Sequence, residues 1–143
     1  LYRIVPKAIL SVRSNEKLPL HGGGKSVRAF VHAADVVDGI ARMIESGKPG
    51  EIYHFSPERY HSIYEVVEII CRKLSTDIEQ ATEVTADRLG KDMAYLMDAS
   101  KAASELGWVP RIVFEDGIDR TISWIDRHYE KMLTLPWNYV HKP

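Results

Sequence analysis

An α/β fold is predicted by two features of the 143-residue sequence. Segments with apolar residues spaced near 3.6, such as Ala33 to Ser46 and Ser62 to Leu74, are typical of helices that bury one face. Short apolar segments bounded by glycine or proline, such as Leu18 to His21, are typical of strands. Because the two kinds of segment alternate along the chain, they favour a mixed α/β architecture.

The first quarter of the chain is predicted to hold one helix and two strands. Leu1 to Asn15 has the helical period, with Pro6 in its first turn, where a missing N–H costs little. A strand follows at Leu18 to His21, and the glycines at 22–24 form a turn. The β-branched and aromatic content of Ser26 to His32 predicts a second strand.

Two helices and one strand are predicted in the middle of the chain. The helix from Ala33 to Ser46 has Asp35 as its expected cap. A short strand is expected over Glu51 to Phe55. The helix from Ser62 to Leu74 begins with a capping box, because Glu65 follows Ser62 by three residues.

The second half of the chain is predicted to hold a strand and two helices. The strand is Thr82 to Thr85, and Asp98 caps a helix that ends at Leu106. A final helix is expected from Glu115 to Met132. We therefore expect one structured region over residues 1–132 and an irregular tail over 133–143.

Charge and cysteine content narrow the classes of function. The chain has 19 Lys+Arg and 20 Asp+Glu, so it lacks the basic excess of a nucleic-acid-binding protein. It has no apolar run long enough to predict a transmembrane helix. Its single cysteine, Cys71, lies beside an apolar stripe, which predicts a packed thiol and fits a reducing cytosol.

Residue patterns alone indicate no catalytic or metal site in this chain. The segment from Gly22 to Ser26 lacks the first glycine of a P-loop, since Pro19 occupies that position, and it precedes a predicted strand. The six histidines have no metal-binding spacing. Arg28 and Arg88 could together clamp a diphosphate, but residue type alone favours surface ion pairs for both.

The order of six motifs resembles a known family. They are Leu18–Gly24, Val27–Asp35, Gly50–His54, Ala86–Asp92, Asp98–Pro110 and Phe114–Ile118. Over Leu1 to about Tyr129, this series resembles the C-terminal portion of extended short-chain dehydrogenase/reductases that act on nucleotide sugars. Within that NAD-dependent epimerase/dehydratase family, it is most similar to the dTDP-glucose 4,6-dehydratases.

The resemblance implies that the chain is the substrate-binding C-terminal part of a longer enzyme. The family's glycine-rich turn for NAD or NADP and its Tyr-x-x-x-Lys catalytic pair do not occur in this sequence. Both would therefore lie in an N-terminal part outside this chain, and no catalytic residue is expected here. Full-length members are expected to be cytoplasmic homodimers. We also expect Val36, Ile40 and Ile44 to form an apolar patch that packs on that missing part.

The resemblance also implies the residues that bind a nucleotide-diphosphate sugar. Arg28 and Arg88 match the family's diphosphate-binding arginines, which reverses the preference for surface ion pairs. The other positions match residues that surround the nucleoside: Pro19, His21, Arg3 and Ile4.

The sequence departs from the family pattern at three positions, and the departures at Ala29 and Leu89 keep other reactions open. His21 stands where a tyrosine is usual, and Leu89 stands where a proline is usual. Ala29 after Arg28 resembles the UDP-glucuronate decarboxylases more than the dehydratases. A 4-epimerase or a UDP-glucuronate decarboxylase is therefore the first alternative, and a free-standing, non-catalytic binding domain is the second.

Overall fold

The computed structural model describes residues 3–87, 90 and 92–136, and it divides the chain into two compact units. The first unit contains residues up to 25, residues 62–91 and residues from 118 onward. The second unit contains residues 26–61 and 92–117. Each unit is therefore assembled from segments that are distant in sequence.

Seven helices and four short strands occur among the described residues. The helices are α1 (Ile4–Arg13), α2 (Ala33–Ser46), α3 (Ile63–Lys73), α4 (Ile78–Ala81), α5 (Ser100–Leu106), α6 (Phe114–Arg127) and α7 (Tyr129–Leu133). The strands are β1 (Leu18–His21), β2 (Val27–Arg28), β3 (His61–Ser62) and β4 (Thr82–Thr85). A 3-10 turn covers Gly22–Gly24. No helix in the described part of the chain has both the length and the apolarity to cross a bilayer.

The core of the first unit lies where α1 and α3 pack together. The prediction that this helix buries one face is confirmed, because Val66, Val67 and Ile70 of α3 are buried. Ile9 on α1 is also fully buried. Burial of each such aliphatic side chain contributes roughly 1.5–3 kcal/mol to stability. β1 pairs in parallel with β4 within the same unit.

The core of the second unit is built around Trp108. Ala102, Leu106 and Trp108 are buried together, and Phe55 stacks on the indole with ring centroids 4.8 Å apart. β2 and β3 form a two-stranded sheet, and Val27 makes an isolated parallel bridge with Ala94. This bridge brings the predicted site residue Arg28 to the segment that begins at residue 92.

Several elements match their predicted bounds. β1, β4 and α2 have the predicted limits, and α3 has the predicted capping box of Ser62 and Glu65. α1 is helical from Ile4 to Arg13 with Pro6 in its first turn, and the first two residues of the chain lie outside the described part.

Other predictions are wrong for identifiable reasons. Glu51 to Phe55 is not a strand, because no neighbouring described segment supplies a hydrogen-bond ladder. The strand predicted over Ser26 to His32 is limited to the two residues of β2. Asp35 does not cap α2; the side chain of His32 accepts the hydrogen bond from Ala34 N instead.

The last helix is interrupted and one short helix was not predicted. At His128 the main-chain N–H donates to the oxygen of Ile125, three residues back, while the imidazole Nδ1 donates to the oxygen of Trp124 at 2.7 Å. The single predicted helix is therefore α6 followed by α7. α4 has only four residues, which is too short for a periodic pattern.

Candidate functional site

His21 ends β1, and the parallel register places it opposite Thr85. Its imidazole Nδ1 lies 2.9 Å from Thr85 Oγ1 and 3.4 Å from the main-chain oxygen of Ala86. These contacts hold the ring at the carboxyl ends of both strands of the first unit. The imidazole ring of His21 is thus held in orientation by β4 and the residue after it.

The glycine turn after His21 has a shape that requires glycine. Gly22, Gly23 and Gly24 all have positive φ, at 60°, 65° and 69°. A Cβ added at Gly22 would lie 2.5 Å from the Asp87 carboxylate, so the Asp87 side chain would have to move to accommodate it. The turn leads into β2 and not into a long helix, so it lacks the helix N-terminus that a P-loop provides.

The other predicted nucleoside-binding residues of the first unit lie on β1 and at the start of α1. Pro19 is half-buried between the buried Leu18 and Leu20. Arg3 is exposed and immediately precedes α1, where its main-chain oxygen accepts from Lys7 N at 3.0 Å. Ile4 is the first residue of α1 and is half-buried.

Arg28 is the predicted site residue of the second unit, and main-chain carbonyls hold its guanidinium. Its Nη1 donates to Val27 O at 2.7 Å, and its Nη2 donates to Asp92 O at 2.8 Å. An arginine has five N–H donors, so three remain unused by these two bonds. Both acceptors are neutral, and no carboxylate of the described residues lies within ion-pair distance. The guanidinium charge is therefore available to an anion.

Tyr95 and Asp92 surround this arginine. The Arg28 guanidinium carbon lies 4.5 Å from the centroid of the Tyr95 ring. The Tyr95 hydroxyl donates a hydrogen bond to Asp92 Oδ2. This hydrogen bond, together with the charge of Asp92, raises the pKa of Tyr95, and the charge of Arg28 partly offsets the rise. The phenol is therefore protonated at neutral pH and acts as a donor.

Sequence reasoning did not identify Tyr95 or Asp92 as parts of this arrangement. The only local signal is a tyrosine three residues after an aspartate, in a segment without helical periodicity. Their role depends on the bridge between Val27 and Ala94, which joins segments about 65 residues apart. Arg88, the second predicted diphosphate-binding arginine, lies outside the described residues.

A buried aspartate of the second unit is structural. The Asp35 carboxylate accepts hydrogen bonds from Arg111 N at 3.2 Å and from Ile112 N at 3.1 Å. Trp108 Nε1 donates to the main-chain oxygen of the same residue at 2.8 Å. Asp35 thus satisfies three donors of the 108–112 segment.

A cleft of about 750 Å³ opens elsewhere in the second unit, between residues 56–60 and 97–110. Tyr60 and Asp98 are among the residues that line it. The Tyr60 hydroxyl donates to Met97 O at 2.9 Å and accepts from Met97 N at 3.0 Å. None of the predicted site residues that the structure describes lines this cleft. Within the described residues, no cluster of three or more potential ligands could hold a metal ion.

Comparison with known proteins identifies the family. A family model described as GDP-mannose 4,6 dehydratase matches residues 1–121. The chain belongs to this family. The resemblance predicted from the six ordered motifs is thereby confirmed.

Curated relatives of this GDP-mannose 4,6 dehydratase family member include bacterial and human enzymes. The dTDP-glucose 4,6-dehydratase of Escherichia coli is 33% identical over 132 residues, which cover 85% of this chain and 36% of that enzyme. The dTDP-D-glucose 4,6-dehydratase of Homo sapiens is 31% identical over 145 residues, covering 98% of this chain and 40% of that enzyme. The chain thus spans about two fifths of the length of these relatives.

A solved structure shares the fold. DesIV, a dTDP-glucose 4,6-dehydratase from Streptomyces venezuelae with NAD and TYD bound, matches with a TM-score of 0.85 at 32% identity. The match covers 90% of this chain and 40% of that chain. The fold of this family member is that of the C-terminal part of an extended short-chain dehydrogenase/reductase, as predicted.

Proposed function

We propose that this chain is the nucleotide-sugar-binding part of an NAD-dependent 4,6-dehydratase whose substrate is dTDP-glucose or a similar sugar nucleotide. The observation that supports this most directly is the Arg28 guanidinium, which two neutral carbonyls orient while three of its N–H donors stay unused. A guanidinium presented in this way suits the paired oxygens of a phosphate. The identity to dTDP-glucose 4,6-dehydratases supports the choice of substrate class.

The proposal assigns the other predicted residues to the same substrate. Arg88 would supply the second guanidinium at the diphosphate. His21 and Pro19 would contact the nucleoside base, and the fixed orientation of the His21 ring supports a stacking role. Arg3 and Ile4 would lie at the nucleotide.

The cofactor and the reacting groups belong to the remainder of the protein. This sequence contains neither the glycine-rich turn nor the Tyr-x-x-x-Lys pair of the family. The remainder of the enzyme would hold NAD, which would supply the hydride chemistry of a 4,6-dehydration at the sugar. The chain described here binds the diphosphate, remote from the reacting carbons, and orients the sugar for reaction. A cytoplasmic location and a homodimer of the whole enzyme are parts of the same proposal.

A second candidate reaction is favoured by one residue. Ala29, next to Arg28, stands where the dehydratases usually have aspartate, which favours a UDP-glucuronate decarboxylase. A 4-epimerase of the same superfamily is kept beside it as an alternative. The diphosphate-binding role of Arg28 is the same in all three reactions, because the diphosphate is common to their substrates.

Product analysis with the whole protein tests the proposal. The protein is incubated with NAD and, separately, with dTDP-glucose, UDP-glucose and UDP-glucuronate, and the products are identified by mass spectrometry and NMR. A 4-keto-6-deoxy product from dTDP-glucose supports the dehydratase. Inversion at C4 or release of CO₂ would identify the second candidate instead. Absence of any product from all three, in a folded protein that also fails to bind NAD, would favour the free-standing, non-catalytic binding domain.

A further inference from the structure

We propose that Tyr95 is a positioning residue for substrate binding: its ring orients the Arg28 guanidinium, and its hydroxyl keeps the Asp92 carboxylate away from that guanidinium. The inference rests on the proposed diphosphate-binding role of Arg28. All three residues belong to the second unit, so the argument depends on contacts within that unit alone.

The ring of Tyr95 limits how the guanidinium can turn. The guanidinium carbon lies 4.5 Å from the ring centroid, a distance at which a cation and an aromatic face attract each other. Together with the hydrogen bonds to Val27 O and Asp92 O, this contact holds the guanidinium on three sides. The edges that carry the remaining donors are left for two phosphate oxygens. An arginine held in this way loses less conformational entropy when the substrate binds.

The hydroxyl of Tyr95 holds the Asp92 carboxylate by a hydrogen bond. The main-chain oxygen of Asp92 accepts a hydrogen bond from Arg28. The carboxylate of Asp92 is therefore on a residue that already lies next to the guanidinium. A carboxylate released toward the guanidinium would form an ion pair with it and compete with phosphate for the same donors. The hydrogen bond from Tyr95 ties this carboxylate to the phenol instead. Tyr95 thus orients the Arg28 guanidinium with its ring and holds the Asp92 carboxylate with its hydroxyl.

Substitutions in the whole enzyme separate the two roles. Tyr95→Leu removes both the ring and the hydroxyl, and we expect KM for dTDP-glucose to rise about tenfold with kcat changed less than about twofold. Tyr95→Phe keeps the ring and releases Asp92, and we expect a rise of about threefold to fivefold. Asp92→Asn combined with Tyr95→Phe removes the competing charge and should return KM to within about twofold of the parent enzyme. The affinity for thymidine diphosphate alone, measured by calorimetry, should follow the same order.

Tyr53 provides a matched control in the same unit. Lys101 Nζ lies 4.9 Å from the centroid of the Tyr53 ring. The Tyr53 hydroxyl donates to Glu105 Oε2 at 2.9 Å. Tyr53→Phe therefore removes the same kind of hydrogen bond, away from Arg28. We expect it to lower thermal stability while KM and the affinity for thymidine diphosphate stay unchanged.

The outcomes distinguish this inference from the proposed function. If Arg28→Ala weakens thymidine diphosphate binding while Tyr95→Leu does not, Tyr95 has no positioning role and the inference is wrong. If Tyr95→Phe weakens binding and Asp92→Asn fails to restore it, the proposed restraint of Asp92 is wrong. If Arg28→Ala itself leaves binding unchanged, the diphosphate-binding role fails and this inference fails with it.

Discussion

The indole N–H of Trp108 donates a 2.8 Å hydrogen bond to the main-chain oxygen of Asp35, and both residues are buried. The Asp35 carboxylate accepts from the main-chain N–H groups of Arg111 and Ile112. One residue in the first turn of α2 therefore fixes the chain that follows α5. Phe55 packs on the indole ring of Trp108. Trp108 therefore links these hydrogen bonds to the aromatic core of the second unit.

Removal of the Asp35 carboxylate should destabilise the protein substantially. Asp35→Ala leaves the N–H groups of Arg111 and Ile112 without their acceptor, at a cost of about 2–4 kcal/mol in the free energy of unfolding. Asp38→Ala is the control on the same helix, because Asp38 forms a half-exposed ion pair with Arg42, and its loss should cost less than about 1 kcal/mol. Urea unfolding of both variants measures the difference. Equal costs would show that the Asp35 hydrogen bonds contribute little.

Two adjacent glycines should respond differently to alanine. Gly23 and Gly24 have similar positive φ angles, so alanine at either position incurs about 1–2 kcal/mol of backbone strain. A Cβ at Gly24 would also lie 2.8 Å from Tyr64 N, whereas one at Gly23 meets nothing within 4 Å. We expect Gly24→Ala to lower the free energy of unfolding by about 1–3 kcal/mol more than Gly23→Ala. Thermal unfolding checks this prediction, which is wrong if the two variants have the same Tm.

The Cys71 thiol should remain unreactive in the folded protein. Burial raises its pKa, and the charge of Asp77 raises it further. Because the pKa is higher in the folded state, the resulting stabilisation is fully present below the ordinary thiol pKa and is lost as the pH rises through the folded value. We expect slow labelling by a thiol reagent at mildly alkaline pH until the chain unfolds. Cys71→Ala should lessen the alkaline loss of stability, and rapid labelling of the native protein would contradict the prediction.

The exposed face of α2 should cause the isolated 143-residue chain to associate. Val37, Ile40 and Ile44 share one helix face, with 64%, 42% and 79% of their surface exposed. Of the residues predicted to form this patch, Ile40 and Ile44 are exposed and Val36 is half-buried. An apolar face of this kind favours association in water. Sedimentation velocity should show dimers or larger species.

A charge on this face tests the cause of the association. The double variant Val37→Glu, Ile44→Glu should restore a monomer, while Val84→Glu, at an equally exposed position on β4, should not. A parent chain that sediments as a monomer at all concentrations would contradict the prediction.

Local sequence patterns predicted the elements whose limits depend on local chemistry. The bounds of α2 and the capping box of α3 follow from apolar period and cap residues within each segment. The short strands β1 and β4 were also predicted, because each is a short segment with strand-forming residues bounded by turns. The glycine turn could also be predicted from local sequence, because three consecutive glycines favour a turn and its positive φ angles favour glycine.

The errors arise where distant contacts decide the local structure. Asp35 has the sequence position of a helix-capping residue, but its carboxylate binds main-chain groups about 75 residues later, and His32 caps α2 instead. Glu51 to Phe55 has strand composition, yet a strand exists only when a neighbour supplies the hydrogen bonds. The surroundings of Arg28 also come from another segment, because Tyr95 and Asp92 reach it through the Val27–Ala94 bridge. Motif order could therefore predict Arg28 but not its neighbours.

The affinity of the whole enzyme for thymidine diphosphate, with and without Arg28, tests the central claim most directly. Calorimetry should show that Arg28→Ala weakens binding by about 1.5–3 kcal/mol, or roughly 10- to 150-fold, because a charge-assisted interaction with phosphate is lost. Arg13→Ala is the control, since Arg13 is an arginine paired with Asp126 at 2.6 Å in the first unit. Weaker binding in Arg28→Ala alone would support the diphosphate-binding role, and unchanged affinity in a folded Arg28→Ala enzyme would contradict it.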